Sequence, residues 1–291
     1  MPNSIALFKQ YLPLLDEVYK IASLTSVLDG ASELVTQGAN ANELIIQKMS
    51  MDGLADYSRN GGYVAGSVTL TNETVKCNFD RGRMFSIDNM DNAETAGMAY
   101  GRLSAEFIRT KVVPELDAFR LATYAGIEGI STVAGAALTT GEVVIKALSA
   151  AYDKMTEDEV PESDRYLFIT PTLRGLVRDL DTTKSKEIMN KFTRVIEVPQ
   201  SRFYTAIAQR DGSSSGEEAG GYAKAEGAVN INFMIIHKPA VIQYEKHVAP
   251  KVVTPEMNQE ADAWKFGYRN VGIADAYENK VAGIYLHKST T

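Results

Sequence analysis

DGLADYSRNGGYVAGSVTLTNETVKCNFDRGRMFSID, residues 52–88, is the stretch on which the fold turns. Val75, Cys77 and Phe79 alternate with Lys76, Asn78 and Asp80. This period-two pattern belongs to a β-strand. Arg81, Arg83, Phe85 and Ile87 read as shifted in register after Gly82, and a turn near Asn72–Glu73 would make the whole a long β-hairpin. Its second strand is heavily charged, which leaves little apolar surface to fold back on a core. A lone two-stranded ribbon is marginal in water, so this one must lie on something else. Two supports are open: a sheet of its own domain, or another subunit. Lys76, Arg81 and Arg83 form the one notable basic cluster. They can protect an exposed strand edge or dock onto acidic patches of an adjacent subunit.

Upstream, ELIIQKMSM (43–51) is a short strand candidate. Before it, Ile5, Phe8, Leu12, Leu15 and Tyr19 recur at three- and four-residue steps, the stripe of a helix that Pro13 interrupts. Downstream, Asp91 to about Ala125 is the strongest helical stretch. Asp91 or Asn92 can cap it, Glu94 sits in its first turn, and Ala99, Leu103 and Phe107 share a face. About 30 helical residues reach about 45 Å, a spine for an elongated molecule. Pro114 should kink it or start a second helix, with Leu116, Phe119 and Thr123 continuing the stripe.

Residues 126–250 read as mixed α/β. GEVVIKALSAAYDKM (141–155) is an amphipathic helix, and PTLRGLVRDL (171–180) is a short one opened by proline at its favoured position. YLFIT (166–170), RVIEVP (194–199), FYTAIA (203–208) and AVNINFMIIHKP (228–239) are strands, and DGSSSGEEAGG (211–221) is a loop. The closing stretch, 263–288, mixes strand-like aromatics with turn residues around Asn279–Lys280.

The chain's 291 residues, 45% hydrophobic and 23% charged, match a soluble globular protein of roughly two domains. Its net charge of −7 argues against a protein built to grip nucleic acid through phosphate contacts. One cysteine, Cys77, excludes an internal disulfide framework and disfavours a cysteine zinc site. No secretory signal is expected, because the start lacks a basic region before its apolar residues, and no apolar run is long enough to span a bilayer. Catalysis has little support. His237, His247 and His287 match no standard ligand spacing. Gly212–Gly216 fits G-x-S-x-G around Ser214, but EEAGGYAKAEG after it does not suit the helix that motif needs. The acidic run 156–164 is a solvated helix end, and no phosphate-cradling glycine motif occurs. No catalytic residue, cofactor or metal is expected.

The order of elements is arm, long charged hairpin, long helix, compact α/β unit and returning strands. It resembles the major capsid proteins of tailed bacteriophages, the Hong Kong 97 fold. Four stretches are similar to the subgroup from phages and prophages of Gram-positive bacteria: PLLDEVYKIASLT (13–25), MSMDGLADYSRNGGYVAGSVTLTNETVKCNFDRGRMFSIDNMDNAETAG (49–97), KVVPELDAFRLATYAG (111–126) and GIYLHK (283–288). The resemblance spans nearly the whole chain. It implies an α+β fold with an N-terminal arm and first strand (1–51) and an extended β-hairpin loop (52–90). The spine helix (91–125) would belong to a peripheral domain, followed by an axial domain (126–243) and a return to the peripheral domain (244–291).

By the same resemblance, the chain would self-assemble as pentamers and hexamers into an icosahedral shell in the bacterial host cytoplasm. That shell would enclose double-stranded DNA without sequence-specific contacts and without a membrane. A separate scaffolding protein and a portal are the implied partners. Inter-subunit contacts would come from Lys76, Arg81, Arg83 and Phe85, and the 211–221 loop would lie near the centre of a ring. Covalent cross-linking through Lys76 has no visible partner. Within the same fold, the alternative is an encapsulin-type nanocompartment shell protein. A hydrolase using Ser214 rests on GSSSG alone.

Overall fold

The computed structural model describes residues 23–30, 36–37, 43–90, 105–133 and 135–290. The arm helix with Pro13, and the first half of the spine with Ala99 and Leu103, lie outside the described residues.

Strands β1 (Thr36–Gln37), β2 (Glu43–Met51) and β3 (Val68–Lys76) form an antiparallel ribbon in that order. Glu43 faces Lys76 and Met51 faces Val68. The hairpin therefore begins at residue 43 rather than 52, and Asn72 and Glu73 lie in mid-strand opposite Gln47 and Ile46. The β-branched run of Val68, Thr69, Thr71, Thr74 and Val75 outweighs the turn propensity of one asparagine. The chain reverses instead at Ser58–Gly62, where Gly62 takes a φ of +76°, a value that suits glycine.

Strand β4 (Phe79–Asp88) leaves the ribbon. It pairs with β12 (Ala263–Ala276), which pairs in turn with β11 (Val241–Val253). The β4 register against β12 runs unbroken from Phe79–Gly272 to Asp88–Ala263. The expected shift after Gly82 is absent: Phe79, Arg81, Arg83, Phe85 and Ile87 share one face. Two arginines can occupy that inner face because each finds acceptors there.

The helix described from residue 105 has a π turn at Ile108–Val112 and continues as α1 (Val113–Gly126). The amide of Val113 donates to the carbonyl of Ile108, five residues back. Pro114 has no N–H to continue the ladder, and the widened turn directly before it absorbs the defect. Leu121 and Tyr124 of α1 are fully buried in the main core with Phe168, Phe203 and Met234.

A five-stranded sheet carries the rest, in the order β5 (Ser131–Val133), β13 (Ile284–Lys288), β10 (Ile231–His237), β6 (Arg165–Ile169), β7 (Arg194–Glu197). Alternate residues of its central strands serve two cores. Leu167, Ile169, Phe233 and Ile235 pack under α2 (Gly141–Glu157), α3 (Pro171–Leu180) and α4 (Thr183–Asn190). Phe168, Met234, Ile236 and Leu286 face α1 and Leu28 on the other side. The Thr140 side chain caps α2, and Thr182 and Ser185 form a capping box on α4. The expected FYTAIA strand is shorter: β8 (Ile207–Gln209) pairs with β9 (Tyr222–Lys224) in a small ribbon.

The segment 244–291 does not return as one piece. Its first part pairs with β4, whereas β13 lies inside the five-stranded sheet beside β10. The apolar run Ile284–Leu286 is fully or almost fully buried, which a sheet covered on both faces provides.

Candidate assembly surface

Among the described residues, most of the large apolar side chains left exposed lie on the ribbon. Residues 49–70 carry Met49, Met51, Leu54, Tyr63, Val68 and Leu70 in the open, with Leu54 fully exposed. Asp52 closes the base of the tip loop: its carboxylate accepts from Ser67 N at 2.7 Å, and its amide donates to Ser67 O at 3.1 Å. Further out, Gly62 N donates to Ser58 O at 2.8 Å, and Tyr57 and Tyr63 meet edge to face at 4.9 Å. The tip is thus a defined knob presenting apolar side chains to water. A contiguous exposed apolar patch marks an interaction surface. Burying Leu54 alone on a partner is worth about 1.5–3 kcal/mol.

A buried polar cluster on α1 fastens residues 23–30, upstream of the ribbon in sequence. Asp117, fully buried, accepts from Ser23 Oγ (2.9 Å), Thr25 Oγ1 (2.7 Å), Thr25 N (3.2 Å), Leu24 N (3.0 Å) and Arg202 (3.2 Å). Arg120, one turn on, donates to Thr25 Oγ1 (3.0 Å) and Glu245 Oε1 (2.7 Å). Gln243 donates to Thr25 O at 2.7 Å and accepts from Tyr124 at 2.9 Å. Burial holds the Tyr124 hydroxyl protonated by raising its pKa well above the usual tyrosine value. The cluster fastens residues 23–30 across the helix and β11, where the chain prepares to enter the ribbon.

The four expected contact residues divide. Lys76 ends β3, exposed and opposite Glu43. Arg81, Arg83 and Phe85 come together along one large cavity, of about 1080 Å³. Arg81 donates to Glu115 Oε1 (2.8 Å) and to the carbonyls of Arg210 (2.7 Å) and Gly221 (3.3 Å), the two ends of the 211–220 loop. Arg83 donates to Glu218 O at 2.9 Å. Gly212 and Gly220 flank its guanidinium so closely that a Cβ on either would lie 2.9 Å from a nitrogen, and both have positive φ. Phe85 packs edge to face on Phe107 at 4.8 Å. The 211–221 loop is therefore strapped to β4 within its own subunit.

Within the loop, the Ser214 hydroxyl donates to Asp211, which also accepts from the amides of Ser213 and Ser214 at 2.8 Å. These bonds hold the Asp211 carboxyl down at about 2. Ser214 caps a turn and has no base beside it in these contacts. Among the described residues no group of histidine, cysteine, aspartate and glutamate is placed to hold a metal ion, and no helix is long and apolar enough to cross a membrane.

Glu115, Asp117, Arg120 and Arg202 were not legible as a functional group in the sequence. The one available signal is the pair Asp117 and Arg120, charged residues three apart inside the apolar stretch of α1.

No protein-family model and no curated protein matches the chain. Solved structures do. The capsid of Myoviridae phage XM1 aligns with a TM-score of 0.55 at 12% identity, covering 92% of both chains. A structure from Gordonia phage Cozz aligns with a TM-score of 0.60 at 12% identity, covering 92% of this chain and 87% of that one. The fold is that of phage capsid structures. A virus-like particle from Pyrococcus furiosus shares it, with a TM-score of 0.54 at 10% identity over 93% of this chain and 98% of that one.

Proposed function

We propose that this chain is the major capsid protein of a tailed bacteriophage, of the Hong Kong 97 type and the Gram-positive subgroup. It assembles as pentamers and hexamers into an icosahedral shell around double-stranded DNA, in the host cytoplasm, with a separate scaffolding protein and portal. The observation that carries this reading is the ribbon, which exposes Met49, Met51, Leu54, Tyr63, Val68 and Leu70 with no cover of its own among the described residues. Such a ribbon needs the neighbouring copies that a symmetric shell supplies at every position. Alignment to capsid structures over nine-tenths of the chain supports it.

In this scheme the ribbon is the extended loop, and the helix through residue 126 is the spine. The three-stranded sheet belongs to the peripheral part and the five-stranded sheet to the axial part. Lys76 serves contacts between subunits directly, whereas Arg81, Arg83 and Phe85 serve them by shaping the cavity beside the 211–221 loop. The chain has no catalytic role.

The test is electron microscopy and sedimentation of the chain expressed alone and with its neighbouring genes. Closed shells, or rings of five and six, are expected; a monomer under both conditions refutes the proposal. The second reading, an encapsulin-type compartment, draws on the likeness to the Pyrococcus furiosus particle. Particles filled with an enzyme rather than DNA would favour it.

A further inference from the structure

The cavity beside Arg83 and the knob at the ribbon tip are complementary in chemistry. Its walls are aromatic, from Phe79, Phe85, Phe107, Tyr222 and Tyr268, between β4, the π turn and the strapped loop. Its carboxylates are already engaged: Glu115 by Arg81, Glu106 by Arg109 at 2.6 Å, and Asp211 by the loop's own amides and hydroxyl. Its cations are less so. Lys111 and Arg210 line it with no carboxylate partner among the described residues. The cavity is therefore an apolar slot with a positive rim. The tip offers the counterpart: Leu54, fully exposed, and Tyr57 flank Asp56, whose carboxylate is exposed and has no ion-pair partner among the described residues.

We propose that in an assembly of this chain the tip segment 52–57 of one copy seats in this cavity of the next. Leu54 and Tyr57 enter the aromatic slot, and Asp56 meets Lys111 and Arg210. The inference rests on the shell reading and adds to it the receptor site on the neighbour. It also gives the strap a purpose: Arg81 and Arg83, by holding the 211–220 loop, keep one wall of the slot in place. Aromatic side chains and an arginine framing a desolvated pocket are the usual anchors of such contacts.

The test starts from shells of the Cys77→Ser chain carrying Leu54→Cys and Thr110→Cys, treated with a short bis-maleimide and run on a denaturing gel. Thr110 lines the cavity and both positions are exposed, so the changes leave folding intact, which an unchanged melting curve verifies. The expected result is a ladder of covalent multimers. The Leu54→Cys chain alone, and Leu54→Cys with Met257→Cys at an exposed site outside the cavity, stay monomeric on the gel. As a second measurement, Asp56→Lys should lower shell yield about tenfold, and Lys111→Glu in the same chain should restore it. Shells that form normally with no ladder above the controls, or a yield unaffected by Asp56→Lys, overturn the docking site and leave the shell reading standing. Absence of any shell from the unaltered chain, alone or with its neighbouring genes, is instead a failure of the shell reading.

Discussion

Replacing Asp117 by alanine tests whether the polar cluster on α1 anchors the segment that leads into the ribbon. The carboxylate accepts five hydrogen bonds, three on Oδ1 and two on Oδ2, from Ser23, Leu24, Thr25 and Arg202. Alanine removes every acceptor and leaves the Arg202 charge without its buried counterpart. Breaking a buried pair from one side costs about 3–5 kcal/mol. Arg202 is partly exposed and regains some hydration, which places the cost toward the lower end. At about 2–4 °C per kcal/mol for a chain of this size class, the melting temperature of the unassembled protein should fall by roughly 6–20 °C. Asparagine keeps one oxygen for Ser23 and Thr25 but sets amide donors against the Leu24 and Arg202 donors and removes the charge, so it should recover less than half of the loss. Hydrogen exchange should show residues 23–30 losing protection before the five-stranded sheet does. The reasoning is refuted if Asp117→Ala melts within about 2 °C of the parent, or if 23–30 remains as protected as β10.

Phe107 is half-buried against Phe85, Phe266 and Tyr268, so Phe107→Ala should cost about 2 kcal/mol by denaturant unfolding, below the 3–5 of a fully buried phenylalanine. Arg81→Ala should release the 211–220 loop at both ends; faster proteolysis there with an otherwise unchanged exchange map is the expected signature. His287 is buried beside Phe233, and burial lowers its pKa below the usual histidine value. The unfolded chain therefore binds the proton first, and stability should fall as pH drops through about 6.5. A series of melts from pH 8 to 5 should show that fall, and it should be shallower for His287→Asn; equal slopes would remove His287 as the cause. Leu54→Glu should leave the melting temperature of the unassembled chain unchanged and reduce the yield of shells.

Where local chemistry governs, the sequence was readable. The amphipathic pattern of 141–155 marks α2 unaided, and the apolar runs Tyr166–Ile169 and Phe233–Ile236 mark β6 and β10. The ribbon's presence was legible from its alternation, but its pairing was not. Both candidate partners of β3 are neighbours in sequence, and only the glycines at 61 and 62 show where the reversal lies. The strap and the anchor were hidden for a different reason. Arg81 reaches carbonyls 129 and 140 residues away, and Asp117 takes hydroxyl and amide donors 92 to 94 residues upstream. A backbone carbonyl has no side-chain signature, so an arginine facing inward looks in sequence like one facing solvent.

The pairing of β4 with β12 also sets a timetable for the nascent chain. Asp80 and its partner Arg269 are 189 residues apart, and β13, which completes the second sheet, is made later still. At about 5–20 residues per second, roughly 10–40 s separate emergence of the ribbon from emergence of the strand that holds β4 in place. During that interval the tip exists, while the slot proposed to receive it is incomplete, because its lining residue Tyr268 has not been synthesised. In the proposed assembly, a copy still on the ribosome would thus offer its ribbon to a finished neighbour but receive none. Under that proposal, the order of synthesis alone would curtail growth on unfinished chains.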